Sequence, residues 1–532
     1  RQQPNVILIT SDQHRGDCFG FEGRPIKTPH LDQLAANGTR FSTCITPNNV
    51  CQPSRASILT GLLPNTHGVH DNGIDLDPTL GNRGMAGTLQ RAGIMSAFIG
   101  KAHFSTHHTF APTGTPECKF SQQDYSPDWF GPYMGFEHVE LVVNGHNHDL
   151  PAAPPAGQHY ESWYYGDGRG EEKNRLYRTQ LAPHTGAAHT WHSALPSACH
   201  NSTWVGDRTI DFLRNSGEQP FFLWTSFPDP HHPFDAPDPW SRMHHPEEVD
   251  LPLHRTKDLD RRPWWHTASL ERTPNIQKDF RLLRETRSRV PDQTDEQLRQ
   301  IISNYYGMIS LIDHNVGRIV DCVSRIPQGS NTIIIFTSDH GEWLGDHGLL
   351  LKGPMMYEGL VRVGFIAQGP NITPGLTLDH PVSTLDVAAT VLDYFGASAD
   401  LPMHGKSLKP LLNGRSQQRD FAYNEWSVNP SRCGVKLELR MARTRRHKLT
   451  LELLSGAGEM YDLFDDPLEM NNLSGNTDYQ KHVTRLRSKL EGWMKTQGDQ
   501  GVETELKARE RQGGRKKKNP KKKFCCVSLD AS

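Results

Sequence analysis

Several short apolar runs in this 532-residue chain end in side chains that can ligate, donate or attack. Val6 to Thr10 leads into Asp12-Gln13, and Thr332 to Thr337 leads into Asp339-His340. Ala97 to Gly100 is followed by Lys101 and His103, and Phe221 to Ser226 by Pro228-Asp229-Pro230-His231-His232. Cys51-Gln52-Pro53-Ser54-Arg55 runs into the helix-like Ala56 to Gly61. Asp12, Gln13 and Asp339 offer hard oxygens of the kind Ca²⁺ or Mg²⁺ takes, and the nitrogen of His340 leaves Mn²⁺ open. Each segment alone has a plainer reading. Cys51 is then a small buried residue at a turn, the carboxylates cap turns, and Lys101, His103 and Lys352 serve structure or solvation. Two such pairs together with the Cys51 segment favour a metal site.

The elements that must position these groups form a pattern of short apolar runs between amphipathic stretches, which predicts a mainly parallel sheet flanked by helices. In open α/β sheets the strand ends form the ligand crevice, which is where the ionisable groups fall. Val363 to Ala367 is a further strand. The strongest helix is expected from Asp295 to Ile326, with Thr294 and Gln297 as a capping box and apolar residues at helical spacing from Leu298 to Val323. Residues 104–275, rich in His, Pro and Trp with weak periodicity, read as insertions over the crevice. Trp204, Trp240, Trp264 and Trp265 there either stack on a substrate ring or pack the insertion.

Beyond the loop-like 410–420, strand-like Val435 to Leu439 and Lys448 to Leu453 and a helix near Tyr479 to Met494 predict a small α+β subdomain. The expected division is 1–415 for the catalytic α/β domain, 416–500 for the C-terminal subdomain and 501–532 for a basic, disordered tail. From Lys507 to Lys523 the tail is dense in Lys and Arg, with Glu510 as its acidic residue. It reads as solvated chain, with a basic arm contacting an acidic partner or a neighbouring subunit as the alternative.

Net charge is −2, which predicts no nucleic-acid or membrane partner, and no apolar run is long enough for a membrane span. Nine scattered cysteines form neither a disulfide framework nor a zinc pattern, and no leader is evident, so a bacterial cytoplasmic location is expected. The sequons at Asn37, Asn201, Asn371 and Asn472 point the other way, and a mature periplasmic or secreted chain would look the same.

The Cys51 segment resembles the C-x-P-S-R signature of type I sulfatases of the alkaline phosphatase superfamily, and further motifs in the family's order extend the likeness over most of residues 5–495. Gly93 to His103 resembles the second signature, G-Y-x-T-x-x-x-G-K-W-H, with Ile94, Ser96 and Ala102 replacing the aromatic, Thr and Trp. The resemblance implies an alkaline phosphatase-like sheet sandwiched by helices, and a formylglycine made from Cys51 by a formylglycine-generating or sulfatase-maturating enzyme. It implies one divalent cation, Ca²⁺ in the first place with Mg²⁺ or Mn²⁺ as alternatives, on Asp12, Gln13, Cys51, Asp339 and His340. Cys51, Arg55, Lys101, His103, His231 and Lys352 would be catalytic, and Lys101, His231, Lys352 and Asn72 would touch substrate. Between the neighbouring histidines the match favours His231. The formylglycine hydrate would attack sulfur, and sulfate would leave by C–O elimination, which clears the covalent adduct without a second attack at sulfur. Ser383 to Thr390 and Glu459 to Leu473 match family segments and read as architecture.

The expected activity is hydrolysis of a small-molecule or carbohydrate sulfate ester, with a homo-oligomer left open. The Asp-Gln and Asp-His pairs also resemble choline sulfatases and phosphonate monoester hydrolases, so a phosphonate monoester hydrolase or phosphodiesterase is the first alternative. Lys101 and His103 stand where those hydrolases typically carry Tyr and Thr. A non-catalytic binder of sulfated ligands, with Cys51 unmodified, is the second.

Overall fold

Along β1, Asn5–Ser11, every residue is buried. Val6 and Leu8 face one side and Ile7 and Ile9 the other, as the two-residue period of a strand requires. A strand apolar on both faces must lie inside a covered sheet. The computed structural model describes residues 3–107, 109, 111–143 and 159–499. The expectation for residues 501–532 lies outside the described residues.

The other strands of the 9-stranded sheet are β2 (Thr39–Ile45), β3 (Met95–Gly100), β4 (His138–Leu141), β5 (Phe221–Ser226), β6 (Thr332–Ser338), β7 (Arg362–Gln368), β8 (Leu376–Leu378) and β9 (Val382–Ser383). Their order is β4-β3-β5-β1-β6-β7-β2-β8, with β9 also on β2. From β4 to β6 every pairing is parallel. Helix Asn201–Asn215 and the long helix Asp295–Val323 cover one face through Val205, Ile210, Ile312 and Val316. Helix Cys51–Thr60 covers the other through Ala56, Ile58 and Leu59. The Thr294/Gln297 capping box is present, and the long helix ends at Val323. No helix among the described residues is long and apolar enough to cross a membrane.

Two features depart from the sequence reading. The strand at 362–368 runs antiparallel to both neighbours. Segment 339–361 makes no crossover, so β7 starts at the sheet end where β6 finished, and everything between them stays on the crevice side. The insertion is also more regular than its periodicity suggested. It contains β4 and the helix Asn201–Asn215, whose pattern is blurred by Gly206, packed so closely on Asn315 that a Cβ would meet Oδ1 at 2.3 Å. Trp204 and Trp265 are buried packing residues, while Trp264 is partly exposed and donates to Ser455.

A second, 4-stranded antiparallel sheet follows: β10 (Ala422–Val428), β11 (Leu437–Arg443), β12 (His447–Glu452) and β13 (Gly458–Asp462). Helix Gln480–Thr496 covers one face through Leu486, Leu490 and Met494. The other face puts Trp426, Leu439 and Met441 against Ile45, Val50 and Val361 of the main domain. Edge strand β10 also grips the loop before Cys51. Glu425 N donates to Pro47 O, Asn48 Nδ2 to Glu425 O, and Asn424 Nδ2 to Thr46 O and to Asn49 Oδ1.

Gly100 closes β3 with φ +117°, and a Cβ there would sit 1.8 Å from Ser226 O. This close approach lets the next residue, Lys101, donate its N–H to Ser226 O at 3.0 Å. Gly100→Ala should therefore cost about 3 kcal/mol or more from overpacking and backbone strain. Urea denaturation checks it, and an unchanged midpoint would show that β3 and β5 tolerate separation here.

Candidate active site

The strand ends of β1, β3, β5 and β6 and the first turn of helix Cys51–Thr60 meet at one buried point. Asp12, Cys51, Asp339 and His340 carry ligand atoms that all lie within 4.8 Å of one another, and each residue is 0% exposed. Cys51 begins its helix, where unsatisfied N–H groups favour negative charge. Asn72 reaches in from a distant loop, and its Oδ1 accepts from Gln52 N at 3.0 Å.

Arg55, one turn further along, is fully buried. Its Nε donates to Asp339 Oδ2 at 2.8 Å, its Nη2 lies 3.4 Å from Asp12 Oδ2, and its Nη1 donates to Lys101 O and Ser226 Oγ. The guanidinium is thus turned to the carboxylates and to the strand ends. Lys101 Nζ pairs with Asp12 Oδ2 at 2.7 Å. Burial pushes the Asp12 carboxyl upward, but Lys101, Arg55 and Lys352 hold it well below the usual carboxylate range. Burial works against Lys101 too, and Asp12 more than reverses it.

Lys352 and His231 complete the cluster. Lys352 Nζ lies 3.1 Å from Cys51 Sγ and 3.1 Å from His231 Nε2. His231 Nδ1 is 2.5 Å from His232 O and serves as donor, which leaves Nε2 to accept from Lys352. His340 is arranged likewise: Nδ1 donates to Gly341 O at 2.8 Å, and Nε2 faces Cys51 Sγ at 3.1 Å. Burial lowers the His340 pKa to about 4, with Lys352 adding to the effect and Asp339 opposing it, so the ring is neutral and its Nε2 lone pair can ligate.

Gln13 is held in a left-handed conformation, φ 65°. Tyr305 of the long helix pins it, donating to Gln13 O at 2.6 Å while accepting from Arg15 N. Gln13 Nε2 is tied to Glu342 Oε2 at 2.5 Å and to His232 Nδ1 at 3.2 Å. Its Oε1 is buried with no hydrogen-bond partner. An acceptor stranded beside two carboxylates and a neutral imidazole fits a divalent cation, so Asp12, Gln13, Asp339 and His340 make a suitable donor set.

His103 is buried in a left-handed conformation, φ 53°, with its ring 4.5 Å from that of His107. Glu117 fixes this turn, accepting the main-chain N–H groups of His103, Phe104 and Ser105. Glu117, Tyr305 and Glu342 were not singled out from sequence. Glu117 lies in the weakly periodic insertion, Tyr305 sits in register with the core face of its helix, and Glu342 belongs to the Asp339 segment but carries no mark of its role there. A second cluster, His254, Asp258 and His347, also brings ligand atoms within 4.8 Å. Arg262 already occupies it, donating to both Asp258 oxygens and to His347 Nδ1.

A mainly parallel sheet with a carboxylate, imidazole and amide cluster at its strand ends, and a helix opening on Cys51 beside that cluster, defines a hydrolase of the alkaline phosphatase-like class. The chain belongs to the sulfatase family: the family model described as Sulfatase matches residues 4–397, and one described as N-sulphoglucosamine sulphohydrolase, C-terminal, matches residues 345–496. It is an enzyme of the sulfatase hydrolase class. An arylsulfatase from Clostridium perfringens is 29% identical over 92% of this chain and 94% of its own length. An N-acetylglucosamine-6-O-sulfatase from Bacteroides thetaiotaomicron is 27% identical over 94% of this chain and 87% of its own. Among solved structures, the phosphonate monoester hydrolase of Agrobacterium radiobacter superposes with a TM-score of 0.74 at 25% identity, covering 93% of this chain and 96% of that one.

Removing Arg55 would leave Asp12 and Asp339 buried and facing each other without their shared partner. Arg55→Ala should lose about 3–5 kcal/mol of stability, the range for breaking a buried ion pair. Equilibrium urea unfolding reads this, and a loss below about 1 kcal/mol would mean the lysines compensate.

Proposed function

We propose that the protein hydrolyses a sulfate monoester to an alcohol and inorganic sulfate, with Cys51, after oxidation to formylglycine, as the nucleophilic residue. The observation that carries this reading is the convergence on Cys51 Sγ of Lys352 Nζ and His340 Nε2, each at 3.1 Å, and Asp12 Oδ1 at 3.6 Å. A sulfate ester is a poor electrophile because its anionic oxygens repel attack, so the reaction needs positive charge placed around sulfur.

Asp12, Gln13, Asp339 and His340 would hold one divalent cation, Ca²⁺ in the first place and Mg²⁺ or Mn²⁺ as alternatives, which supplies Lewis-acid stabilisation of the sulfuryl oxygens. Formylglycine supplies paired hydroxyls, one to attack and one whose deprotonation frees sulfate. Lys101 and Lys352 receive sulfuryl oxygens. Lys352 Nζ, 3.1 Å from His231 Nε2, supplies the proton for the departing alcohol oxygen, either directly or by first protonating His231 Nε2, which then donates it. His103, two residues beyond Lys101, takes the proton of the second hydroxyl. Arg55 orients the two carboxylates, and Asn72 holds the helix start that presents Cys51. The relatives act, by their names, on aryl and N-acetylglucosamine 6-O-sulfates, which supports a sulfated small molecule or saccharide as substrate.

The second reading, phosphonate monoester hydrolysis, is favoured by the likeness to the Agrobacterium radiobacter enzyme and by the Asp-Gln and Asp-His donor pairs. Comparing kcat/KM for an aryl sulfate and an aryl phosphonate monoester separates the two. A sulfate preference is expected, and a large phosphonate preference overturns the first reading.

Mass spectrometry of the peptide containing Cys51, alongside metal analysis, should find the aldehyde or its hydrate and about one divalent cation per chain. An unmodified thiol in active enzyme would sink the mechanism. Cys51→Ala should abolish turnover with the fold retained.

Glu342 accepts from Gln13 Nε2 and from two main-chain N–H groups, of Leu344 and Leu351. It thereby aims Gln13 Oε1 at the cation. Glu342→Ala should weaken metal affinity by about 10- to 100-fold, as removal of a group that orients a ligand typically does. Calorimetric titration with Ca²⁺ tests this, and unchanged affinity would remove Gln13 from the donor set.

A further inference from the structure

Beside Lys352 lies a cavity of about 400 Å³, within the range of small-molecule sites. Its walls include the apolar side chains of Leu270, Trp343, Leu349 and Met355, and its polar lining is strongly basic. Lys352 lines this cavity, and its Nζ, assigned above as the proton source for the departing alcohol, also lies 3.1 Å from Cys51 Sγ and from His231 Nε2, so the cavity adjoins the leaving-group end of the proposed site.

Most of the cations here are matched. Arg255 pairs with Asp295, Lys257 with Asp292, and Arg432 with Asp71. Arg289 differs. It is half-buried, and its Nη2 donates to two main-chain carbonyls, Ser269 O at 3.0 Å and Arg272 O at 2.5 Å. No carboxylate among the described residues pairs with it. Its other N–H groups have no protein partner there either. Burial pulls its guanidinium below the ordinary arginine value, with Cys433 and Glu285 opposing that shift. The chain thus keeps an uncompensated, carbonyl-anchored guanidinium in a partly desolvated, apolar-walled pocket. In such a place a fixed charge attracts more strongly than in open water, and an arginine fork suits sulfate or carboxylate oxygens.

We propose that Arg289 forms an anion subsite for the leaving group, so that the substrate is a sulfate ester whose alcohol carries a second negative group, such as a multiply sulfated or carboxylated saccharide. This rests on the sulfate-ester reading above. Arg289 is a specificity residue in this scheme and takes no part in bond breaking.

The test uses full-length enzyme with 4-nitrophenyl sulfate and the same ester bearing a ring carboxylate. Intrinsic reactivity cancels when the kcat/KM ratio of the two esters is compared between variant and wild type. For Arg289→Gln that ratio should shift about tenfold against the carboxylated ester, while Arg289→Lys, which retains the charge, should keep most of it. An unchanged ratio in Arg289→Gln overturns the subsite. Equal shifts in Gln and Lys also overturn it, assigning Arg289 to holding the two carbonyls alone.

Should Arg289→Gln fail to fold, binding to Cys51→Ala protein gives a second reading. Glucosamine 2-N,6-O-disulfate should bind at least about tenfold more tightly than N-acetylglucosamine 6-sulfate by calorimetry, and equal affinity overturns the proposal. Wild-type enzyme inert toward both aryl sulfates would count against the activity itself, while active enzyme indifferent to the second charge counts only against the subsite.

Discussion

Two carboxylates, Asp12 and Asp339, are held fully buried at the ends of adjacent parallel strands, and the Arg55 guanidinium between them makes this possible. Unit charges 4 Å apart interact by about 4 kcal/mol at an effective dielectric of 20, so a bare pair would drive protonation or separation of the strand ends. Arg55 turns that repulsion into a link among β1, β6 and the Cys51 helix, and through Lys101 O and Ser226 Oγ it reaches β3 and β5 as well. Every strand end at the site therefore meets one side chain. A cation bound there, as proposed, would find its carboxylate oxygens already aimed.

The reversal at β7 matters as much for the rest of the site. Had segment 339–361 crossed over as a helix, Lys352 would have been carried away from the crevice. Because the chain turns straight back, the segment stays at the strand ends and Lys352 is delivered to Cys51. A single change of strand direction thus brings Lys352 to the same strand ends at which Lys101 stands.

Much of this was legible in the sequence because ionisable residues following apolar runs mark strand ends. Asp12, Lys101, His231 and Asp339 lie where that rule puts them, and the capping box at Thr294 fixed the start of the long helix. What escaped notice depends on contacts across the fold. Glu117 acts on a turn 12 to 14 residues away in the chain, and Tyr305 acts on Gln13 from 292 residues away. Nothing local in the sequence distinguishes a core-facing tyrosine from one whose hydroxyl pins a strained backbone. Arg55 was found by its motif, but its orientation toward the carboxylates is a product of packing.

The subsequence that grips the Cys51 loop comes last. Asn424 and Glu425 bind Thr46, Pro47, Asn48 and Asn49 from strand β10, more than 370 residues downstream. Cys51 itself is wholly enclosed in the folded chain, in which that strand is seated on its loop. A ribosome adding about 5–20 residues per second would need tens of seconds between making the cysteine and making its latch. On the reading proposed above, in which another protein oxidises Cys51 to formylglycine, that oxidation would be a matter of timing, confined to the interval before the C-terminal sheet docks. On that reading, a chain that folded before modification would keep Cys51 enclosed as an unmodified thiol.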